Sequence, residues 1–372
     1  MTDMFATRIT PAQGYAVTVT SRAEAVTDWA VRYFGMWWNA AQVDAADVAG
    51  AVVAADVDPG EVAALTGAVT SGEHAEVVYA NDRMVYAVNG DGVVRAAQPD
   101  AGLAYRWEPA VRRLTVVGCD ETAVATAAAR IAREVVRGQL LGNGWQILHS
   151  SAVTRPDGAT VLSLGDKGAG KTTVGFLLAR AGWGLLANDR VFVRVEEGAV
   201  RVLPWPSAAA IGFGLLDAMG WYDVVRDQVR AGEQMHPTQH QRVTDALLAD
   251  EREPLWKSSG KELKPQFFPD QLDTMLGMKL ATEGRAAALL FPRITAGATP
   301  ALSDEERGVQ DGDFFNAKTE DRYPDVFRLL PSGGPSAGLA EALAALPHRS
   351  VVLGHDTAAN TALLEGVTDG LL

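Results

Sequence analysis

The sequence predicts an α/β protein in two parts: an α+β first domain over residues 1–142, and a phosphate-loop core with a mixed sheet and flanking helices over 143–372. Three observations carry that expectation. Short alternating runs rich in Val and Tyr fill most of residues 12–118, the period-2 signature of half-buried strands. One long amphipathic run, ETAVATAAARIAREVVRGQLLG, then interrupts them. After it comes a β-rich run, a glycine-rich loop and a helical pattern, in that order, over residues 159–182.

The strands of the first domain are expected in GYAVTVTS, HAEVVYA, RMVYAV, GVVRAA, LAYRWEP and RRLTVVG, joined as a β-meander with helical pieces near 21–33 and 60–68. Asn81-Asp82 and the NGDG run at 89–92 are hairpin signals. The aromatic stretch WAVRYFGMWW reads as core or domain-interface packing. Asp120 caps the long helix and Gly142 lies past its end. In the second domain, QILHSSAV and ATVLSLG are strands joined by a TRPDG turn, and GLLANDRVFVRV follows the loop helix as a strand. A helix near 238–250, the helix DQLDTMLGM, the strand AAALLFPRI and a helix–strand–helix run over 336–368 complete it. Residues 303–321, SDEERGVQDGDFFNAKTED, read as a solvated acidic loop or, alternatively, a lid over the site.

Composition narrows the function. Of the 372 residues 48% are hydrophobic, so a sizeable core is no obstacle. The formal charge of −13 argues against a general nucleic-acid binder, which needs a basic face to displace counterions. The single cysteine, Cys119, can form no internal disulfide and reads as a small buried apolar residue in a reducing cytoplasm. No signal peptide and no run of membrane-spanning length is visible. Lysine is scarce, seven against 26 arginines, and five of the seven fall in GDKGAGKTT and WKSSGKELKP.

The loop itself, Gly165, Asp166, Lys167, Gly168, Ala169, Gly170, Lys171, Thr172 and Thr173, satisfies G-x-x-x-x-G-K-[ST]. Glycines let its backbone N–H groups close on phosphate oxygens, the following helix adds its positive end, Lys171 a point charge, and the Thr172 hydroxyl a ligand for Mg²⁺. The expected ligands are therefore ATP and Mg²⁺. Asp189, after the apolar run of GLLANDRV, is the expected second metal ligand.

With these residues in view, the chain resembles the HPr kinase family, which shares a core with PEP carboxykinase. His149 stands on the strand before the loop in LHSSAV, GDKGAGKT is similar to the family loop with Asp166 after the first glycine, and LLANDRV looks like the family segment with paired aspartates followed by Arg and Val. The resemblance spans roughly residues 147–195 and none is visible over the first 140. It implies an ATP-dependent kinase acting on a hydroxyl, with His149 in the active site. It also locates a departure: Asn188 stands where the family has the first aspartate, the presumed general base, and an amide cannot take a proton. Asp189 doing both jobs, Asp166 or His149 acting instead, and a reaction needing little base help are all open readings.

Ser150 and Ser151 could orient His149 or a phosphate. Lys257, Lys261 and Lys264 could meet an anionic acceptor or stay a solvated charged loop. Arg293, at a strand end in FPRI, could clamp a phosphate bidentately. The expected acceptor is a peptide serine or a small hydroxylated metabolite, with no nucleic acid or membrane involved. A monomer and a homo-oligomer are equally compatible. The alternatives are a switch ATPase without an acceptor, an inert nucleotide binder, and a carboxykinase. The absence of an N-K-x-D motif counts against a GTPase, and the absence of a Lys/His metal cluster near the loop counts against the carboxykinase.

Overall fold

The computed structural model describes residues 4–48, 50–315, 321–331 and 338–372. The chain divides into two compact units, Met1–Trp145 with Asn316–Pro335, and Gln146–Phe315 with Ser336–Leu372. It is a mixed α/β protein with one large sheet in each unit.

The first unit runs β1 (Phe5–Ala12), β2 (Tyr15–Ser21), α1 (Glu24–Phe34), β3 (Ala41–Val43), β4 (Ala51–Val57), α2 (Pro59–Thr70), β5 (Ala75–Tyr79), β6 (Asp82–Val88), β7 (Val94–Gln98), β8 (Leu103–Glu108), β9 (Arg113–Gly118) and α3 (Glu121–Gly142). Its sheet order is β3-β1-β2-β4-β9-β8-β7-β6-β5. Only β5 to β9 form the expected meander. At the centre β2, β4 and β9 are parallel. The run AVVAADV of β4 is near-continuously apolar, as a strand buried on both faces must be, and the alternation sought in the sequence passes over it. α2 covers β6–β9 with Val62, Leu65 and Val69 set against Val85, Ala97, Ala104 and Val117. α3 packs on β2, β4 and β9 beside α1. Its start is capped as expected, Asp120 accepting from the N–H of Ala123. The hairpin between β5 and β6 turns one residue earlier than its sequence signal: Ala80 and Asn81, at φ +55° and +74°, hold the left-handed positions that a two-residue turn requires.

Two further expectations change. Cys119 is exposed, not buried, because it lies in the bend between β9 and α3, just before the cap. And residues 321–331 do not belong with the second unit. They return to the first, where Tyr323 stacks edge-on against Tyr79, Phe327 lies against Tyr79 and Tyr105, and the carbonyl of Arg322 accepts from Ala80 N–H at 2.8 Å. Asp321 enters a buried ion cluster there. Glu134 pairs with Arg133 at 3.3 Å and Arg137 at 2.9 Å, and Arg137 also meets Asp321 at 2.7 Å. Burial pushes the Tyr323 phenol up, but Arg133 and Arg130 more than offset it and its pKa falls below the ordinary tyrosine value. As expected, Trp37 and Trp38 of the aromatic stretch are buried in full.

The second unit runs β10 (Gln146–Leu148), β11 (Ser151–Thr154), β12 (Ala159–Ser163), α4 (Lys171–Arg180), β13 (Gly184–Ala187), β14 (Val191–Glu196), β15 (Ala199–Pro204), β16 (Ala209–Ala210), α5 (Phe213–Ala218), α6 (Tyr222–Arg230), α7 (Gln241–Leu248), β17 (Leu255–Trp256), β18 (Glu262–Leu263), β19 (Gln266–Phe267), α8 (Pro269–Thr274), β20 (Gly284–Ile294), β21 (Ala301–Leu302), α9 (Leu339–Ala344), β22 (His348–Leu353) and α10 (Thr357–Leu371). The sheet order is β10-β14-β15-β20-β12-β11-β13, with β22 also on β20 and β21 on β22. β12, β20 and β22 are parallel and the other pairs antiparallel, so the sheet is mixed. GLLANDRVFVRV is two strands rather than one, broken at Asn188–Arg190. One face of the sheet packs Leu162, Leu186 and Leu289 with Leu339 and Leu343 of α9. The other carries α4 on β11 and β13. Among the described residues no helix is long and apolar enough to cross a membrane.

Candidate functional site

The glycine-rich loop leaves the middle of the second sheet. β12 is flanked by β11 and β20, and the pairing with β20 extends one residue further, Leu164 N–H donating to Leu290 O at 2.9 Å. The chain then turns at Gly165, Gly168 and Gly170, with φ +146°, +86° and +109°, values that side chains disfavour. Gly170 is doubly required: a Cβ there would stand 2.8 Å from Ile294 Cγ1 and 3.0 Å from its Cδ1. α4 starts immediately afterwards, and among the described residues no side chain caps it. The first-turn N–H groups of Lys171, Thr172 and Thr173 therefore have no helical acceptor, and the positive end of the helix opens at the loop. Asp166, Lys167 and Gly168 are exposed; Ala169 and Thr173 are half-buried.

Lys171 curls back into this loop. Its Nζ donates to Gly165 O at 2.6 Å and Asp166 O at 3.1 Å. Burial lowers its pKa, partly opposed by the carboxylates of Asp189, Asp313 and Asp166 and reinforced by Arg307. The Thr172 hydroxyl donates to Asn188 O at 3.3 Å, which brings the start of α4 to the end of β13. There the paired residues have opposite environments. Asn188 is 6% exposed, and its Oδ1 is buried with no hydrogen-bond partner among the described residues. The Asp189 side chain is 55% exposed and faces Arg190 Nε at 3.7 Å. The Arg190 guanidinium lies over the rings of Phe315, at 5.0 Å, and Trp205, at 5.8 Å.

His149 follows β10. Its N–H donates to Asp313 O at 2.8 Å and its ring is tilted against Phe315 at 5.8 Å. The sequence reading missed what lies behind this contact. Asp313 is 1% exposed and takes a bidentate pair from Arg307, at 2.9 and 3.1 Å, plus the N–H of Gln310. Arg307 also lies over the Phe291 ring. Residues 311–315 are thus not a solvated loop. They are pinned to β10 through Leu148–Phe314 pairing and the Phe315 N–H to Ile147 O bond. No local periodicity announces this, since Ile147, Leu148 and His149 lie more than 100 residues away and Arg307 and Gln310 lie in irregular backbone. The remainder of the expected loop or lid, residues 316–320, lies outside the described residues.

Ser150 is fully buried, its hydroxyl shared between the carbonyls of Ser151 and Ser163, so it is a strand tie rather than a phosphate contact. Ser151 bonds Ala187 O at 3.1 Å and occupies the space where Gly175 of α4 has no side chain. Lys257 and Lys261 flank the turn of the β17–β18 hairpin, and Lys264 pairs with Glu262 at 3.0 Å. Arg293 points away: strand alternation directs Pro292 and Ile294 toward Gly170 and sends Arg293 to the opposite side, where it pairs with Glu305. Among the described residues no group of three His, Cys, Asp or Glu could by itself hold a metal.

No known protein-family model matches this chain. No curated protein matches it in sequence either. Among solved structures, one described as the structure of the Hpr(Ser) kinase/phosphatase from Coxiella burnetii is similar over 60% of this chain and 97% of its own length, at 9% identity and a TM-score of 0.25. A likeness that loose decides nothing about the chemistry.

Proposed function

We propose that the second unit binds ATP with Mg²⁺ at the Gly165–Thr173 loop and transfers the γ-phosphoryl group to a hydroxyl of a peptide or small molecule. The observation that carries this reading is the conjunction at one point of a three-glycine left-handed loop, a helix start with no side-chain cap among the described residues, and a desolvated Lys171 held by loop carbonyls. That is an anion site in waiting: backbone N–H groups and an ammonium converge where charge must be received. Lys171 would exchange Gly165 O and Asp166 O for phosphate oxygens. One hydroxyl, Thr172, and one carboxylate, Asp189, fit a cation that takes its other ligands from phosphate and water. Bound ATP and Mg²⁺ supply the phosphoryl group and neutralise its charge.

In the transfer the acceptor oxygen bonds to the γ-phosphorus as the bridge to ADP breaks. The acceptor proton leaves to Asp189, the exposed carboxylate at the strand end. Asn188 cannot take it. Its buried amide is also the one observation that favours a second reading, nucleotide binding without transfer. Incubation with Mg²⁺ and γ-labelled ATP, with and without peptide and small-molecule fractions of a cell extract, separates the two, with Lys171→Ala as the blank. Label on an organic product, absent from the blank, supports the kinase. Label found only as free phosphate, or left on ATP, overturns it.

A further inference from the structure

The first unit contains a pocket of about 580 Å³ that the phosphate chemistry does not use. It is lined among others by Arg8 and Thr10 of β1, Tyr15 of β2, Arg112 of the β8–β9 turn, and Gln139 and Asn143 at the end of α3. Among the described residues that line it only two are charged, and both are positive, in a chain of net charge −13. Its wall is set: Gln139 donates to Ala16 O at 3.0 Å and Trp145 Nε1 to the Tyr15 hydroxyl at 3.2 Å. Arg8 is held by a main-chain carbonyl, that of Asp47.

Arg112 is the telling residue. The β7–β8 and β8–β9 connections are built alike. Each is a single 3₁₀ turn that begins with proline, Pro99–Ala101 and Pro109–Val111, and ends in a left-handed residue whose N–H returns to the proline carbonyl. In the first turn that residue is Gly102, at φ +60°; in the second it is Arg112, at φ +50°. Glycine is the unstrained choice at such a position. A non-glycine residue kept at such a position can mark a use for its side chain, and Arg112 is among the residues that line the pocket.

We propose that this pocket binds a small organic anion, a carboxylate or a phosphate ester, with Arg8 and Arg112 taking its oxygens. Guanidinium groups match both oxyanions in bidentate geometry, and the volume lies within the range of small-molecule sites. The test is calorimetric titration of the full chain at low salt with two probes, citrate and inorganic phosphate, to distinguish the carboxylate from the phosphate source. The expected result is saturable binding of one probe that persists in Lys171→Ala, where the anion site of the loop is weakened, and that falls at least about tenfold in Arg112→Gly. Arg112→Gly should also melt no lower than the parent, because the turn relaxes; Arg8→Met gives a second, independent loss of affinity. Failure of both probes to bind, equal binding by Arg112→Gly, or a melting temperature several degrees lower in that variant would each overturn the proposal, the last because Arg112 would then be kept for folding.

Discussion

Replacing Gly175 with alanine tests how α4, and with it the phosphate loop, is seated on the sheet. A Cβ at this position falls on the Ser151 hydroxyl and stands 3.3 Å from Ser151 Cβ and 3.8 Å from Leu185 Cδ1. Helix propensity alone would favour the substitution by about 1 kcal/mol. Against that, overpacking a rigid interior costs about 1–3 kcal/mol. If Ser151 rotates away, its bond to Ala187 O is lost, at a further cost of about 1–3 kcal/mol for a buried acceptor. The net expectation is a destabilisation of about 1–5 kcal/mol, with weakened nucleotide binding because Lys171 and Thr172 ride on the same helix. Removing the obstructing oxygen isolates the cause: on a Ser151→Ala background, Gly175→Ala should become close to neutral. Urea unfolding of the four proteins, followed by far-UV dichroism and read on the transition of the second unit, yields the coupling energy. Additivity within about 0.5 kcal/mol would refute the reasoning, since residues that share no contact behave that way.

Three further outcomes are expected. Gly170→Ala places a Cβ against Ile294 at a φ of +109°, so the loop must shift; nucleotide affinity should fall about tenfold or more with dichroism unchanged, as equilibrium dialysis would measure. Burial depresses the pKa of Lys171 from 10.5, so the unliganded protein gains stability as pH rises through that lowered pKa toward 10.5. A bound phosphate reverses the shift, so binding should take up protons and weaken over the same alkaline window; calorimetry in buffers of different ionisation enthalpy would detect the exchange, and its absence would contradict the assignment. Glu134→Gln removes the carboxylate that pairs with both Arg133 and Arg137 in the buried cluster and should destabilise the first unit by about 3–5 kcal/mol in denaturant unfolding.

The pattern of residues determined the local pieces on its own. The glycine positions of the loop, the helix after it, the Asp120 cap and the paired Asn188–Asp189 are encoded by neighbours within a few residues, and the steric demands of left-handed turns and helix starts act over the same range. Tertiary structure decided the rest. Arg293 looked like a phosphate clamp at a strand end, but the alternation of β20 against Gly170 turns it to the other side. Ser150 looked available beside His149 and is sealed by two strand carbonyls. Arg307 and Asp313 read as members of a polar loop, yet the pairing of Leu148 with Phe314 buries Asp313 and brings its carbonyl to His149. Residues 321–331 follow the second unit in sequence and pack in the first, because Tyr323, Phe327 and Asp321 find partners on α3 and on the strands around Tyr79 and Tyr105. Contacts of this kind join residues far apart in the chain, and their energy exists only once the order of strands in the sheet has brought the two ends together.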